Sequence, residues 1–231
     1  MASKGTLLGV GIYTVPEAAR MARVSAARIR RWLKGYTYRY QDGKRRSPPV
    51  WTPDLPVLGG ILALSFRDLM EVRFVDYFLD AGVSWKTLRQ AAAHAAEIVD
   101  SSHPFSTRTF KTDGKRIFAE YAAKRAGSKS LLEVIQRQYN ITEVVEPRLY
   151  KGVEFSGQHI VRWFPVADSH RVVIDPAVGF GQPIVVPEGV PTSILAQAVK
   201  VEGSIERVAR WYAVSTRSVG AAVQYEDALA A

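Results

Sequence analysis

The chain contains no cysteine among its 231 residues. Disulfides, thiolate metal sites and cysteine nucleophiles are therefore excluded. Long apolar runs are absent too: no stretch approaches the roughly 20 residues needed to cross a bilayer as a helix. The opening segment, Met1 to Gly11, lacks a signal-peptide cleavage pattern. A cytoplasmic protein with no membrane partner is expected. Histidine is scarce, and His94, His103, His159 and His170 are spread without metal-ligand spacing. Phosphate-binding signatures are missing: Gly9-Val10-Gly11 has no third glycine, and Gly179-Phe180-Gly181 runs into Gln182-Pro183, which cannot open a phosphate-binding helix. Asp68 and Glu71 lie one helical turn apart, but Arg67 and Arg73 flank them, which reads as a surface ion-pair face rather than an acid/base pair. No catalytic residue, metal site or cofactor is expected, and the chain does not read as an enzyme.

Acidic residues are scarce in one place. Residues 1–50 carry eleven basic side chains against Glu17 and Asp42, a surplus equal to the net +9 of the whole protein. The remaining residues sum to zero. A basic module on a neutral body implies a dedicated docking surface for a polyanion, rather than diffuse affinity.

Within that module, Thr14-Val15-Pro16-Glu17 has the grammar of a helix start: Thr14 as cap, proline in the first turn, Glu17 completing a capping box. Val24-Ser25 interrupts the helix, Ser25 caps a second one over Ala26 to Lys34, and Gly35 stops it. Ile29, Trp32 and Leu33 fall on the inward face. Arg28, Arg31 and Lys34 form an outer stripe with Arg30 beside it. Two short helices joined by a tight turn, the second presenting arginines, make a helix-turn-helix whose second helix fits the major groove. Tyr36 to Tyr40 alternates as a strand, Asp42-Gly43 marks a hairpin turn, and Lys44-Arg45-Arg46 lies on the return strand. Such a hairpin is a wing. DNA contact is expected from Ser25, Arg28, Arg31 and Lys34, with Ser25 suited to a phosphate; Arg30, Arg39, Lys44, Arg45 and Arg46 are expected on the DNA backbone.

Tyr13-Thr14-Val15-Pro16-Glu17-Ala18-Ala19, Val24-Ser25 and Ile29-Arg30-Arg31-Trp32 resemble the opening of MerR-type winged helix-turn-helix domains. Leu64 to Leu69 and Ala81-Gly82-Val83-Ser84 resemble the later helices of the same domain. The departure is the long, proline-rich segment from Gly35 to Ile61.

Beyond it, Phe66 to Leu79 and Trp85 to Val99 read as helices, the first strongly amphipathic. His94 reads as structural. Thr107 to Thr112 and Arg116 to Glu120 are expected as strands joined by Asp113-Gly114, followed by a charged loop over Ala123 to Ser130. Leu131 to Tyr139 reads as a short helix, and runs between Ile141 and Trp163 read as extended. The middle of the chain is thus expected to be β-rich.

Val172 to Pro176 and Phe180 to Val186 read as strands, Pro191-Thr192 as the cap of a helix running to about Val201, and Ile205 to Tyr212 and Thr216 to Ala230 as two more helices broken at Val214-Ser215. This is a second helix-turn-helix, with only Ser215, Thr216, Arg217 and Ser218 to offer DNA. A bundle for dimerisation or toxin contact fits it at least as well. Ile174-Asp175-Pro176, Gly181 to Val185, Pro191-Thr192 and Ser204 to Val223 resemble a small antitoxin-associated domain. Together with the MerR-like head, the chain resembles a VapB-type antitoxin. That resemblance implies a homodimer that binds double-stranded operator DNA, represses its own operon and neutralises a PIN-type ribonuclease toxin.

The expected architecture is α+β: a winged helix-turn-helix over residues 1–100, a β-rich connector over 101–165, and a three-helix helix-turn-helix bundle over 166–231. Two rival readings share the head: a ligand-responsive MerR-like regulator, and a phage or partition DNA-binding protein.

Overall fold

Tyr13–Thr14 (β1) leads directly into Val15–Ala22 (α1), capped as its sequence requires: Glu17 N–H donates to the Thr14 hydroxyl at 3.4 Å, and Thr14 N–H to the Glu17 carboxylate at 2.8 Å. Ala26–Lys34 (α2) follows, with its N-cap Ser25 accepting from Arg28 N–H at 3.3 Å. Tyr36–Tyr40 (β2) and Gly43–Ser47 (β3) pair antiparallel, and Ala63–Leu64 (β4) returns to pair with β1. Phe66–Asp80 (α3) and Trp85–Val99 (α4) come next. A computed structural model describes residues 8–41, 43–57, 59–124, 149–166 and 168–230. They form an α+β protein of two units. One groups Tyr13–Tyr150 with Ser156–Ile160; the other groups Lys151–Phe155 and Val161–Ala231 with the segment before Tyr13.

In the first unit α3 is the central helix. The sequence pattern predicts one buried stripe, yet Phe66, Leu69, Met70, Val72, Phe74, Val75 and Phe78 are all buried, and they point in every direction around the axis. Phe74 stacks on Phe105 with ring centroids 5.7 Å apart and meets Tyr150 at 4.9 Å. A helix apolar all round belongs inside a layer of others.

The two strands expected within Thr107 to Glu120 are not formed. Arg108–Lys124 is a single helix (α5). Thr107 starts it by accepting from Phe110 N–H at 3.1 Å. Phe110, Ile117 and Tyr121 are buried at helical spacing, and Arg116 pairs with Asp113 and Glu120 across one turn on the exposed side. Asp113-Gly114 looks like a hairpin turn in isolation. Here the glycine is needed for packing, because a Cβ on Gly114 would lie 2.8 Å from the Phe110 ring. Helical burial of three large side chains outweighs the turn preference of the dipeptide and the roughly 1 kcal/mol cost of a helical glycine. The expected loop 123–130 begins inside this helix at Ala123. Its remainder, the expected helix at Leu131 to Tyr139 and the extended run near Thr142 lie outside the described residues.

The second unit holds a four-stranded sheet, Val153–Ser156 (β5), His159–Trp163 (β6), Val172–Ile174 (β7) and Pro183–Val185 (β8), in that order, with the tip of the β5–β6 hairpin assigned to the first unit. Phe180 lies in a short 3-10 turn, not in the strand expected there. Thr192–Glu202 (α6), Ile205–Trp211 (α7) and Thr216–Ala230 (α8) enclose a core of Val185, Leu195, Val208, Val214, Val219 and Ala222. Pro191 is the N-cap of α6 and makes no side-chain cap; the Thr192 hydroxyl instead donates to the Pro183 carbonyl at 3.3 Å and to Glu226.

Asp68 and Glu71 correct the sequence reading most sharply. Neither is on a surface face: their relative exposures are 0% and 1%. Asp68 accepts from Trp51 Nε1 at 2.7 Å and Ser65 N–H at 2.9 Å, and its carboxylate lies 2.8 Å from His103 Nε2. Burial opposes ionisation of Asp68, but the His103 hydrogen bond and charge, with Ser65 and Trp51, outweigh it and lower its pKa. Burial likewise opposes protonation of His103, and the Asp68 hydrogen bond with the charges of Glu71, Asp68 and Asp54 raises its pKa. Each shift favours the charged form of its group, as the short His103–Asp68 contact requires. Glu71 differs. Burial pushes it up to about 7, against the opposing His103 charge and hydrogen bonds from Ser106. A raised carboxyl contributes stability that is complete below its ordinary value of 4.5 and is lost as pH rises through about 7. His103 contributes with the same sign. Glu71→Gln should therefore flatten the decline in urea stability between about pH 5 and about pH 8, by up to about 3 kcal/mol. An unchanged pH slope in the variant would refute a protonated buried Glu71.

Candidate nucleic-acid interface

The turn between α1 and α2 is three residues long. Arg23 takes left-handed φ (58°), and Val24 is buried while its N–H donates to the Ala19 carbonyl at 3.0 Å. This fixes the angle at which α2 leaves. Ile29, Trp32 and Leu33 then anchor α2 at 0–3% exposure, which turns Arg30, Arg31 and Lys34 to the surface. Ser25 is exposed at the amino end of the helix.

Arg28 departs from the expected stripe. Its guanidinium pairs with Asp76 at 2.9 Å and Asp80 at 3.2 Å, both on α3, and lies 5.2 Å from the Trp32 ring centroid. Burial raises the pKa of Asp76 and Asp80 adds to the rise, while Arg28 pulls it down. Arg28 is thus held as counter-ion to a carboxylate pair. From sequence those aspartates are more than forty positions away and give no sign of the contact.

Gly35 links α2 to the hairpin with φ 70°, and a Cβ there would lie 2.3 Å from the Ser47 carbonyl oxygen. Close approach of the two backbones, as well as helix termination, requires glycine. The register Thr37↔Arg46, Tyr38↔Arg45 and Arg39↔Lys44 sorts the hairpin into two faces. Thr37, Arg39, Lys44 and Arg46 share one, a nearly pure cationic strip. Tyr36, Tyr38, Tyr40 and Arg45 share the other, with Arg45 4.2 Å over the Tyr40 ring and Arg31 of α2 4.3 Å over Tyr36. The hairpin base is tied to the core: Trp85 Nε1 and Arg89 both donate to the Ser47 hydroxyl, at 3.1 and 3.2 Å, and Val50 N–H to the Trp32 carbonyl at 3.0 Å. The structure therefore sets α2 beside the tyrosine face of the hairpin, with Arg31 against Tyr36, and Arg28 is the expected contact drawn aside.

The C-terminal helices expected as a second helix-turn-helix are built differently. At the amino end of α8, Ser215 N–H donates to Glu188 at 3.0 Å and the Ser218 hydroxyl to the same carboxylate at 2.9 Å. Ser218 is fully buried. Burial opposes ionisation of Glu188, and these hydrogen bonds reverse the balance and lower its pKa. The chain's own carboxylate thus takes one amide at the helix end, where a DNA-reading helix would offer its amides to phosphate.

Asp54, Asp68 and His103 come within 4.8 Å of one another and are the one such group among the described residues. Their lone pairs are already engaged. Asp54 receives Arg67 at 2.8 Å and the Ser65 hydroxyl at 2.7 Å, and Asp68 receives the donors named above. The cluster is a hydrogen-bonded ion network, poorly suited to replacing those donors with a cation.

No known family profile matches the chain. It is 26% identical to "Putative antitoxin VapB45" of Mycobacterium tuberculosis (strain ATCC 25618 / H37Rv), over 96% of this chain and 95% of that protein. The crystal structure of Rv2018 from Mycobacterium tuberculosis shares the fold, with a TM-score of 0.73 at 24% identity, covering 94% of this chain and 99% of that one. Among the described residues no helix is long and apolar enough to cross a membrane.

Gly35→Ala should force the Ser47 carbonyl away and loosen the hairpin base, at a stability cost of about 1–3 kcal/mol by urea denaturation. An unchanged midpoint would show that the two backbones are not held together there.

Proposed function

We propose that this protein is an antitoxin of a type II toxin–antitoxin system, one that represses its own operon through an N-terminal winged helix-turn-helix and neutralises a PIN-type ribonuclease. The observation that carries the DNA-binding half is the exposed cations of α2, Arg30, Arg31 and Lys34, directly followed by the cationic strip of the adjoining hairpin. The antitoxin half is supported by the likeness to the VapB45 protein across nearly the whole of both chains. Residues 1–100 serve as the MerR-like DNA-reading domain, 101–165 as the connector and 166–231 as the antitoxin-associated domain. In this reading α2 enters the major groove, with Ser25, Arg30, Arg31 and Lys34 toward the DNA. Arg39, Lys44, Arg45 and Arg46 lie along the backbone. Arg28 joins them only by leaving Asp76 and Asp80. One short helix reads few bases, so two copies on a palindromic site provide the specificity.

The C-terminal unit fits protein contact better than a second DNA site. Glu188 fills the amino end of α8, and α6 and α7 expose Val201 at 76%, Trp211 at 63% and Ile194 at 44%. Apolar side chains this exposed are suited to a partner.

Two experiments test the halves separately. On DNA from upstream of its own coding sequence, Arg31→Ala should cost about 1–3 kcal/mol and narrow the preference over random duplex. Lys44→Ala should weaken every duplex alike and reduce the salt slope by about one. Asp80→Asn should tighten binding by removing one of the two carboxylates that hold Arg28. Equal losses for Arg31→Ala on both duplexes would refute the base contact. Co-expression with the neighbouring gene's product should rescue growth and yield a stable complex with a ribonuclease. A harmless neighbour that does not copurify would end the antitoxin reading and leave the DNA-binding one intact.

A further inference from the structure

Where α2, the carboxy end of α3, the start of α4 and the hairpin meet, a pocket of about 230 Å³ is lined by Arg28, Arg31, Trp32, Tyr36, Leu79 and Trp85. Its walls are aromatic. The Trp32 and Trp85 rings lie within 22° of parallel at 6.3 Å between centroids, and Tyr36 meets Trp85 at 6.4 Å. Trp32 is buried and forms the floor; Trp85 and Tyr36 are half-buried and present open ring surface. Trp85 is oriented by its Nε1, which donates to the Ser47 hydroxyl at 3.1 Å. A mouth of two guanidiniums over three aromatic rings is unusual for a packing defect, which would collapse or be lined by aliphatic groups.

The two arginines are not equivalent. Arg28 is neutralised by Asp76 and Asp80. Arg31 has no acidic partner among the described residues; its guanidinium is exposed and stacked 4.3 Å over Tyr36. An anionic group is therefore attracted at the Arg31 side and repelled at the Asp76 and Asp80 side. The volume is below the roughly 300–1,000 Å³ of pockets for drug-sized molecules, so it suits one planar ring system and no more. A planar ring to stack on indole, with one negative group beside it, describes a nucleotide.

We propose that this pocket binds a single nucleotide, its base against the Trp85 ring and its phosphate on Arg31, which Tyr36 backs from the other side. The ligand is either a free mononucleotide or one unpaired residue of a nucleic-acid strand. The Tyr36–Tyr38 contact at 5.8 Å extends the aromatic surface along the hairpin and gives a strand somewhere to continue. The site goes beyond duplex recognition, although Arg31 serves both, so its occupancy is linked to operator binding through one side chain.

The test is titration of the full chain with adenosine 5′-monophosphate and, separately, with an eight-residue oligodeoxyadenylate, followed by calorimetry and tryptophan fluorescence. Duplex binding is measured in parallel so that the two readings stand or fall independently. Saturable heat with tryptophan quenching by the mononucleotide supports the site and shows that a free ligand suffices; a response to the oligonucleotide alone supports it and assigns the ligand to a strand. Trp85→Ala should weaken the response about tenfold or more. Arg31→Gln, which keeps the core intact, should weaken it as well and guards against a folding defect in the first variant. Absence of heat and quenching with both ligands up to about 5 mM, a range that would reveal even millimolar affinity, overturns the proposal. So does binding that neither substitution alters.

Discussion

A buried carboxylate with no solvent contact holds the first unit together. Asp68 accepts from Trp51 on the segment after the hairpin, from Ser65 at the start of α3, and pairs with His103 on the approach to α5. Stretches widely separated in sequence are thereby pinned to one point. Removing charge from water is costly, and that cost is offset here because both oxygens of Asp68 find donors and His103 lies against one of them. The proline-rich segment between Gly35 and Ile61 has little apolar surface of its own, yet it is ordered at Trp51 and Leu55, both nearly buried. Its order follows from the anchor rather than from local preference.

The basic surface inherits its geometry from that anchor. Trp51 is held by Asp68, Val50 beside it is tied to the carboxy-terminal turn of α2, and Ser47 just before is tied to Trp85 and Arg89 of α4. The hairpin therefore leaves a braced base at a defined angle. Within the strands, the two-residue period does the rest, sending Arg39, Lys44 and Arg46 one way and the tyrosines the other. Arginine stacks over tyrosine on the second face, so that even there a guanidinium is presented on a rigid ring. The carboxylates of α3 act in the opposite sense: they hold Arg28 back and divide the arginines of α2 into one that is neutralised and others that are exposed.

The α1–α2 and α7–α8 pairs show how the same local grammar serves different chemistry. Both place a buried valine in the turn, followed by a serine cap on the next helix. In the first, the following helix exposes Arg30, Arg31 and Lys34; in the second, Glu188 accepts from Ser215 N–H and the Ser218 hydroxyl at the helix end. A single acidic side chain from a preceding loop is enough to change what that helix end can accept.

The sequence by itself determined the elements whose cause is local. The capping box at Thr14 and Glu17, the serine caps of α2 and α7, the glycine after α2, the hairpin strands and all three C-terminal helices could be located to within a residue or two, because caps and apolar period act over a single turn. The charge surplus of the first fifty residues was equally legible, since it needs no structure to count. Tertiary structure decided whatever depends on partners distant in the chain. The span from Arg108 to Lys124 became helix because its three large side chains face a core that the sequence does not display, against a dipeptide that prefers to turn. Asp68 and Glu71 sit inside rather than on a surface because His103 and Ser106, more than thirty positions away, complete them. Arg28 faces a carboxylate pair for the same reason. Local free energies are written along the chain; the desolvation and pairing of charges depend on which segments the fold brings together.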